Sequence, residues 1–280
     1  MPSPNEITVA QLSRLIGTPD APVLVDLRID EDFDDDPRIL PGSIRHPFTQ
    51  IDALISDLTT EPSSPRVVVY CQKGKKISQG AMAQLRAAGL RAETLEGGHF
   101  GWRDAGQPLI PADKLFHLSE PRPLQKSVWV TRHRPKIDRI ACPWLIRRFI
   151  DPGARFLYVA PGEVMGVAEK YHALPFDVEG VFWTHRDDRC TFDVFIEEFN
   201  LNTKPLLHLA KIVRGADTDR HDLTPESSGL LAASLGLSRM YRDDWAQLEA
   251  SMVLYDAFYR WCRDATNEGH DWSKHNMDPQ

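Results

Sequence analysis

The segment Cys71-Gln72-Lys73-Gly74-Lys75-Lys76 places a thiol, three cations and a glycine in one short run. It follows the buried-type run Val67-Val68-Val69-Tyr70 and precedes residues 77–88, which read as a helix ending at Gly89. Ligands of parallel sheets bind outside the carboxyl ends of the strands. A helix start there offers free N–H groups and the positive end of a dipole. A tight loop at such a place aims several amides at one sulfur, and Lys73, Lys75 and Lys76 add positive charge, which favours thiolate over thiol. Gly74 lets the loop curl without a side-chain clash. The chemistry this pattern suits is nucleophilic attack by Cys71 on a sulfur donor, leaving a persulfide. The competing reading is a structural thiol buried at a strand end. An inert core thiol needs no electropositive surround, so the lysines and the glycine favour the nucleophile.

Two further clusters carry chemistry. The stretch 131–148 holds six Lys or Arg against one Asp. Within it Arg132, Arg134 and Arg139 are candidates for an oxyanion site taking chromate, sulfate or phosphate, because guanidinium groups match such ligands. A solvated basic face paired with acidic neighbours explains the stretch equally well. The run His185-Arg186-Asp187-Asp188-Arg189-Cys190-Thr191-Phe192-Asp193 gathers three ligand types, and 217–222 is a second polar cluster. His185, Cys190, Asp193 and Asp217 are therefore candidate ligands of a divalent metal with mixed nitrogen, oxygen and sulfur donors. Their spacing matches no zinc signature, and loop aspartates commonly make turns or cap helices instead.

The elements that must position these groups fall into two parts. From Thr8 to Leu95 strand-like and helix-like pieces alternate. Residues 8–17 suit a helix with Thr8 as N-cap, Val23-Leu24-Val25 a buried strand, Asp30–Asp36 an acidic loop, 49–59 a helix, Val67–Tyr70 a strand and Thr94-Leu95 a last short strand. Such alternation implies a parallel sheet covered on both faces by helices. A proline-bearing segment, 116–126, reads as a linker between a domain over 5–115 and a second over 127–262, with a polar tail over 263–280. The second part begins with a strand over 127–131 and is mainly helical, an α+β domain. Residues 137–150 share an apolar face, yet Pro143 cuts the pattern, so a helix either starts at this proline or is kinked there. Residues 205–214 and 243–262 read as helices, and the aromatic and methionine stripe of the latter as core.

The bulk properties narrow the function classes. The 280 residues are 42% hydrophobic and 26% charged, ordinary for a folded globular chain of about two domains. The net charge of -7 does not favour nucleic acid as a partner. No apolar run approaches the ~20 residues that span a bilayer, and the first residues show neither a basic start nor an apolar core. Four scattered cysteines form no disulfide framework. These features predict a cytoplasmic protein without a membrane partner, its thiols kept reduced.

Val67–Trp102 resembles the catalytic half of a rhodanese domain: a strand, Cys71 with its C-x-x-G-x loop, a helix, Gly89, and the closing Gly97-Gly98-His99-Phe100-Gly101-Trp102. Leu24-Val25-Asp26-Leu27-Arg28 and Leu40-Pro41-Gly42-Ser43-Ile44 resemble the front half. The resemblance implies that Cys71 carries a transferred sulfane sulfur, cradled by the backbone of Gln72, Lys73, Gly74, Lys75 and Lys76, and that Asp26 and Arg28 support the site as further substrate-binding residues. It implies a small sulfur donor such as thiosulfate, a thiol or cyanide as acceptor, and no required cofactor. Many rhodaneses carry Arg-Ser where this chain has Lys76-Ile77, and lysine lacks the planar fork that binds an oxyanion bidentately. The related phosphatases need an arginine where Ile77 stands, which argues against phosphatase chemistry.

The second part resembles the C-terminal domain of ChrB-type chromate-resistance proteins. The resemblance rests on Trp129–Arg132, Ile137–Asp151, Pro175-Phe176-Asp177, Cys190–Asp193, Ile212–Asp217 and Tyr255–Tyr259. It implies a link to chromate resistance and to regulation of chromate efflux; chromate or sulfate as a partner is what the arginine cluster suggests. Three functions stand side by side: a sulfurtransferase working through Cys71 persulfide, an oxyanion-responsive sensor or transcription regulator without turnover, and a metal-dependent redox or detoxification protein.

Overall fold

The computed structural model describes residues 5–60, 65–115 and 126–269. The first part contains, in order, β1 (Glu6–Ile7), α1 (Val9–Leu15), β2 (Val23–Asp26), α2 (Asp30–Asp34), β3 (Arg38–Ile39), β4 (Ser43–Arg45), α3 (Ile51–Thr60), β5 (Arg66–Tyr70), α4 (Lys76–Ala87), β6 (Arg91–Leu95), α5 (Gly98–Asp104) and β7 (Ile110–Pro111). Five strands form one parallel sheet in the order β1-β6-β5-β2-β4. The predicted α/β class is thus correct, with β5 in the centre. Val67, Val68, Val69 and Tyr70 of β5 are completely buried. Alternate side chains of the strand serve opposite faces. Val67 and Val69 pack with Leu54, Leu58, Ala81 and Leu85 of α3 and α4. Val68 and Tyr70 face the other way, into the core shared with α1.

Local signals worked where they were self-contained. Thr8 caps α1 through its hydroxyl while Gln11 reaches back to the Thr8 amide, a reciprocal capping box. The acidic segment expected to be a loop is instead the short helix α2. Asp30, Glu31 and Asp32 sit in its first turn, where negative side chains complement the helix dipole.

The second part runs β8 (Val128–Arg132), α6 (Asp138–Leu145), β9 (Arg155–Val159), α7 (Val164–Tyr171), β10 (Leu174–Pro175), α8 (Thr191–Glu198), α9 (Lys204–Asp217), α10 (Pro225–Met240) and α11 (Asp244–Asp264). Its sheet is parallel in the order β10-β8-β9, and the helices pack around Trp129, Trp144, Phe192, Phe195 and Tyr255. Helix α10 was not anticipated, since the face it buries carries Ser227, Ser234 and Ser238 beside Leu230 rather than an apolar stripe. Pro143 neither starts nor ends α6 but lies inside it, and a π-helical turn, Ile146–Ile150, continues the chain. Proline at 143 cannot donate to the carbonyl of residue 139. That carbonyl instead accepts a hydrogen bond of 3.1 Å from the Tyr158 hydroxyl on β9. The lost helical bond is therefore replaced from outside the helix, which the local sequence could not show.

The two parts share one apolar core, which runs from Ile7 and Leu12 through Trp102 and Ile110 to Trp144 and Tyr259. Lys114 pairs with Glu198 at 2.9 Å, Asn200 donates to the Leu109 carbonyl at 3.2 Å, and Arg263 donates to the Arg14 carbonyl at 3.1 Å. Most of the linker segment and of the polar tail lies outside the described residues. The last helix extends to Asp264, slightly into the expected tail. Among the described residues no helix is long and apolar enough to cross a membrane.

Candidate functional site

Cys71 leaves the central strand of the larger sheet at its carboxyl end, and α4 begins five residues later. Its side chain is 5% exposed and lies outside the apolar clusters of the described residues. The Sγ atom is 3.3 Å from the hydroxyl of buried Ser78, which also lies 3.2 Å from the Lys75 carbonyl. A hydroxyl has one hydrogen and two lone pairs. It can accept from a thiol while donating to Lys75, or turn its hydrogen toward a thiolate. Ser78 was missed in the sequence; its position on the first turn of the helix after the cysteine was the available signal.

The loop is held by backbone from behind. The amide of His99 donates to the Cys71 carbonyl and that of Phe100 to the Gln72 carbonyl, both at 3.0 Å. Gly74 and Gly98 both have positive φ. A Cβ on Gly98 would stand 2.2 Å from the Cys71 carbonyl oxygen, and one on Gly74 would stand 2.6 Å from that of Leu95. The two glycine backbones therefore nest face to face, which no other residue type allows. With the carbonyls of Cys71 and Gln72 occupied, the amides of Gln72, Lys73, Gly74 and Lys75 donate to no acceptor among the described residues. Lys73, Lys75 and Lys76 are exposed around this loop.

Asp26 and Arg28 lie where no substrate can touch them, a correction to the expectation that they bind it. Both side chains have no exposed surface and pair through bonds of 2.6–3.0 Å. Arg28 also donates to the carbonyls of Asp36 and Arg38 at 2.8 and 2.7 Å. Asp36, held by Arg38 at 2.6 and 2.8 Å, in turn lies 3.0 Å from Nε2 of His99. The Arg38 hydrogen bond, then that of His99, holds the Asp36 carboxyl well below the usual range, and burial pushes His99 down toward its neutral form. The pair thus braces the segment that anchors His99, whose amide fixes Cys71. Sequence reading found Asp26 and Arg28 but not Asp36, which joins them only in three dimensions.

In the second part the structure regroups the predicted residues. His185 Nε2 lies 3.2 Å from Asp217 and 3.5 Å from both Asp138 and Asp177. Of the candidate ligands, His185 and Asp217 lie side by side, while Asp138 and Asp177 were not singled out as ligands. Hydrogen bonding to Asp177, then to Asp217, raises the His185 pKa to about 10. Burial, reinforced by Asp217 and Asp177, pushes Asp138 well up. For Asp177 burial acts upward, but hydrogen bonds from His185 and Thr191 outweigh it and the net shift is down. Cys190 and Asp193 are not part of this group. They form the capping pair of α8, with the Cys190 amide donating to Asp193 at 3.0 Å. The α8 start, having orphan donors to satisfy, consumes both.

The three arginines also separate. Arg132 and Arg139 approach Asp177 Oδ2 at 3.2 and 3.3 Å. Arg134 points elsewhere, bonding the carbonyls of Tyr241 and Ser238 at the α10–α11 junction. A single oxyanion cradle built from all three is therefore overturned: alternate strand positions and the following turn send the side chains in different directions.

This architecture defines a rhodanese-like α/β domain joined to a second, helix-rich domain. Residues 8–105 match the rhodanese-like domain family and residues 129–262 match the family described as ChrB, C-terminal domain. Protein ChrB of Cupriavidus metallidurans is 35% identical over 141 residues, which cover 50% of this chain and 42% of that protein. The chain thus spans less than half the length of this curated relative. Among solved structures, a rhodanese-related protein from Thermoplasma volcanium is 22% identical, covering 38% of this chain and 97% of that one with a TM-score of 0.32. A protein of Rhodopseudomonas palustris described as a possible tyrosine phosphatase is 28% identical, covering 38% and 83%, again with a TM-score of 0.32.

Proposed function

We propose that the protein is a sulfurtransferase that carries sulfane sulfur as a persulfide on Cys71. The observation that supports this most is the loop itself: one sulfur at the end of the central strand, beside the Ser78 hydroxyl, with the amides of Gln72–Lys75 left without acceptors among the described residues. With thiosulfate, the Cys71 thiolate attacks the outer sulfur, a new S–S bond forms, the old S–S bond breaks, and sulfite leaves with the electron pair. A nucleophilic acceptor, cyanide or a thiolate, then attacks the outer sulfur of the persulfide and returns the Cys71 thiolate. No oxidant and no cofactor enter the balance. Loop amides and lysines stabilise the negative charge on the donor and on the persulfide, through dipoles that are already oriented. All four cysteines are free and buried, which suits a reducing, cytoplasmic setting.

The test is a thiosulfate–cyanide assay on the full chain and on Cys71→Ser, with intact mass measured after thiosulfate alone. Thiocyanate formation and a mass gain of one sulfur atom are expected only for the wild type. Equal activity in both proteins, or none in either, overturns the assignment.

A further inference from the structure

We propose that Asp138, Asp177 and His185, with Asp217 beside them, form a binding site for a divalent transition-metal ion of the Mn2+ or Zn2+ kind. The four residues are dispersed along the chain and come from four places: the first residue of α6, the segment after β10, the loop before α8 and the last residue of α9. One ligand atom from each of Asp138, Asp177 and His185 lies within 4.8 Å of the other two. The nitrogen-to-oxygen separations of 3.5 Å on both sides of His185 resemble those around a shared ion. Tetrahedral or octahedral ligands at about 2.1 Å stand about 3–3.4 Å apart.

An acidic cluster can be a solvated surface feature, but this one is not. Asp138 is 1% exposed, and its Oδ1 has no hydrogen-bond partner, while Oδ2 accepts from the Phe192 amide at 3.3 Å and faces His185. A carboxylate oxygen buried without a partner is costly unless something cationic meets it. His185 cannot serve that role alone. Its Nε2 carries at most one hydrogen, yet Asp138, Asp177 and Asp217 all approach that nitrogen. A metal ion between these groups satisfies several oxygens at once and takes the imidazole nitrogen as a further ligand.

The surroundings orient the ligands as a metal site requires. Arg132 and Arg139 hold Asp177 by Oδ2, and Thr191 donates to its Oδ1 at 2.9 Å, the oxygen that faces His185. The Asp138 amide lies 3.5 Å from Asp217 Oδ1, leaving Oδ2 toward the imidazole. The donor set is carboxylate and imidazole, and among the described residues no cysteine sulfur joins it. Such a set suits Mn2+, Fe2+ or Zn2+ rather than a soft ion. His185 and Asp177 line an open cavity of about 400 Å³, bounded also by Arg132 and Thr184. An ion held there would therefore have an open side at His185 and Asp177.

The experiment titrates chelator-treated full-length protein with Mn2+, following loss of the free-ion paramagnetic resonance signal, with Zn2+ as competitor. One Mn2+ per chain, displaced by Zn2+, is expected. Asp138→Asn and His185→Gln should each weaken binding at least about tenfold, whereas Cys71→Ser should bind as the wild type does. His185 is partly exposed, and circular dichroism checks that both variants fold. No saturable binding of either ion, or binding unchanged in His185→Gln, overturns the site. Neither result depends on the sulfurtransferase reading, which the Cys71 assay tests separately.

Discussion

Gly98→Ala tests whether the cysteine loop is positioned by backbone packing. At φ +59° an alanine costs about 1–2 kcal/mol in conformation alone. Its methyl group would lie 2.2 Å from the Cys71 oxygen and 2.4 Å from the Gly74 nitrogen. An ordinary carbon–oxygen approach is about 3.3 Å, so the loop must retreat by about 1 Å. That retreat strains the 3.0 Å bond from His99 to Cys71, adding about 1 kcal/mol. The total is about 2–3 kcal/mol, and a 1 Å shift of a reacting sulfur costs about a hundredfold in turnover. Gly89→Ala is the control. It has φ +86° but nothing within 4 Å of a new Cβ, so only the conformational cost of about 1–2 kcal/mol applies. Urea unfolding and thiosulfate–cyanide kcat/KM are measured for both. A Gly98→Ala protein no less stable than Gly89→Ala, with turnover within about twofold of wild type, would refute the reasoning.

Three further outcomes follow from particular contacts. Arg28→Met strands the Asp26 carboxylate in a site without exposed surface, and a loss of about 3–5 kcal/mol is expected in urea unfolding; a loss below 1 kcal/mol would contradict the buried pair. Tyr158→Phe removes the donor that replaces the helical bond missing at Pro143, with an expected cost of about 1–3 kcal/mol and no change in sulfur transfer; thermal melts showing wild-type stability would contradict it. Because Asp36 is held below the usual carboxylate range by Arg38 and His99, its contribution is complete above about pH 4 and is lost as pH falls further. Asp36→Asn should therefore lose less stability than wild type between pH 5 and acid, and equal slopes in the two melting series would rule this out.

Much of the first domain was legible because its signals are short in sequence. A β-branched run followed at once by Cys71, Gly74 and a helix marks a strand, a loop and a dipole with no distant residue needed. The Thr8–Gln11 cap lies within one helical turn. The second domain yielded less. Cys190 and Asp193 looked like ligands because they are near His185 in sequence, yet the start of α8 takes them as caps. The acidic run after Ile29 looked like a loop because its charge hides a short helix.

Residue types and local spacing alone decided that a cysteine followed by a glycine and lysines sits at a strand end, and that alternating strands and helices build a parallel sheet around it. Folding decided the rest. Only long-range packing brings Asp36 to His99, Tyr158 to the carbonyl freed by Pro143, and Asp138, Asp177 and Asp217 to His185. Hydrogen bonds and ion contacts act over about 3 Å, and nothing in the chain order of these residues encodes that closeness. It arises when β8, α6 and α9 bury their apolar faces in one core, carrying their polar ends to a common place.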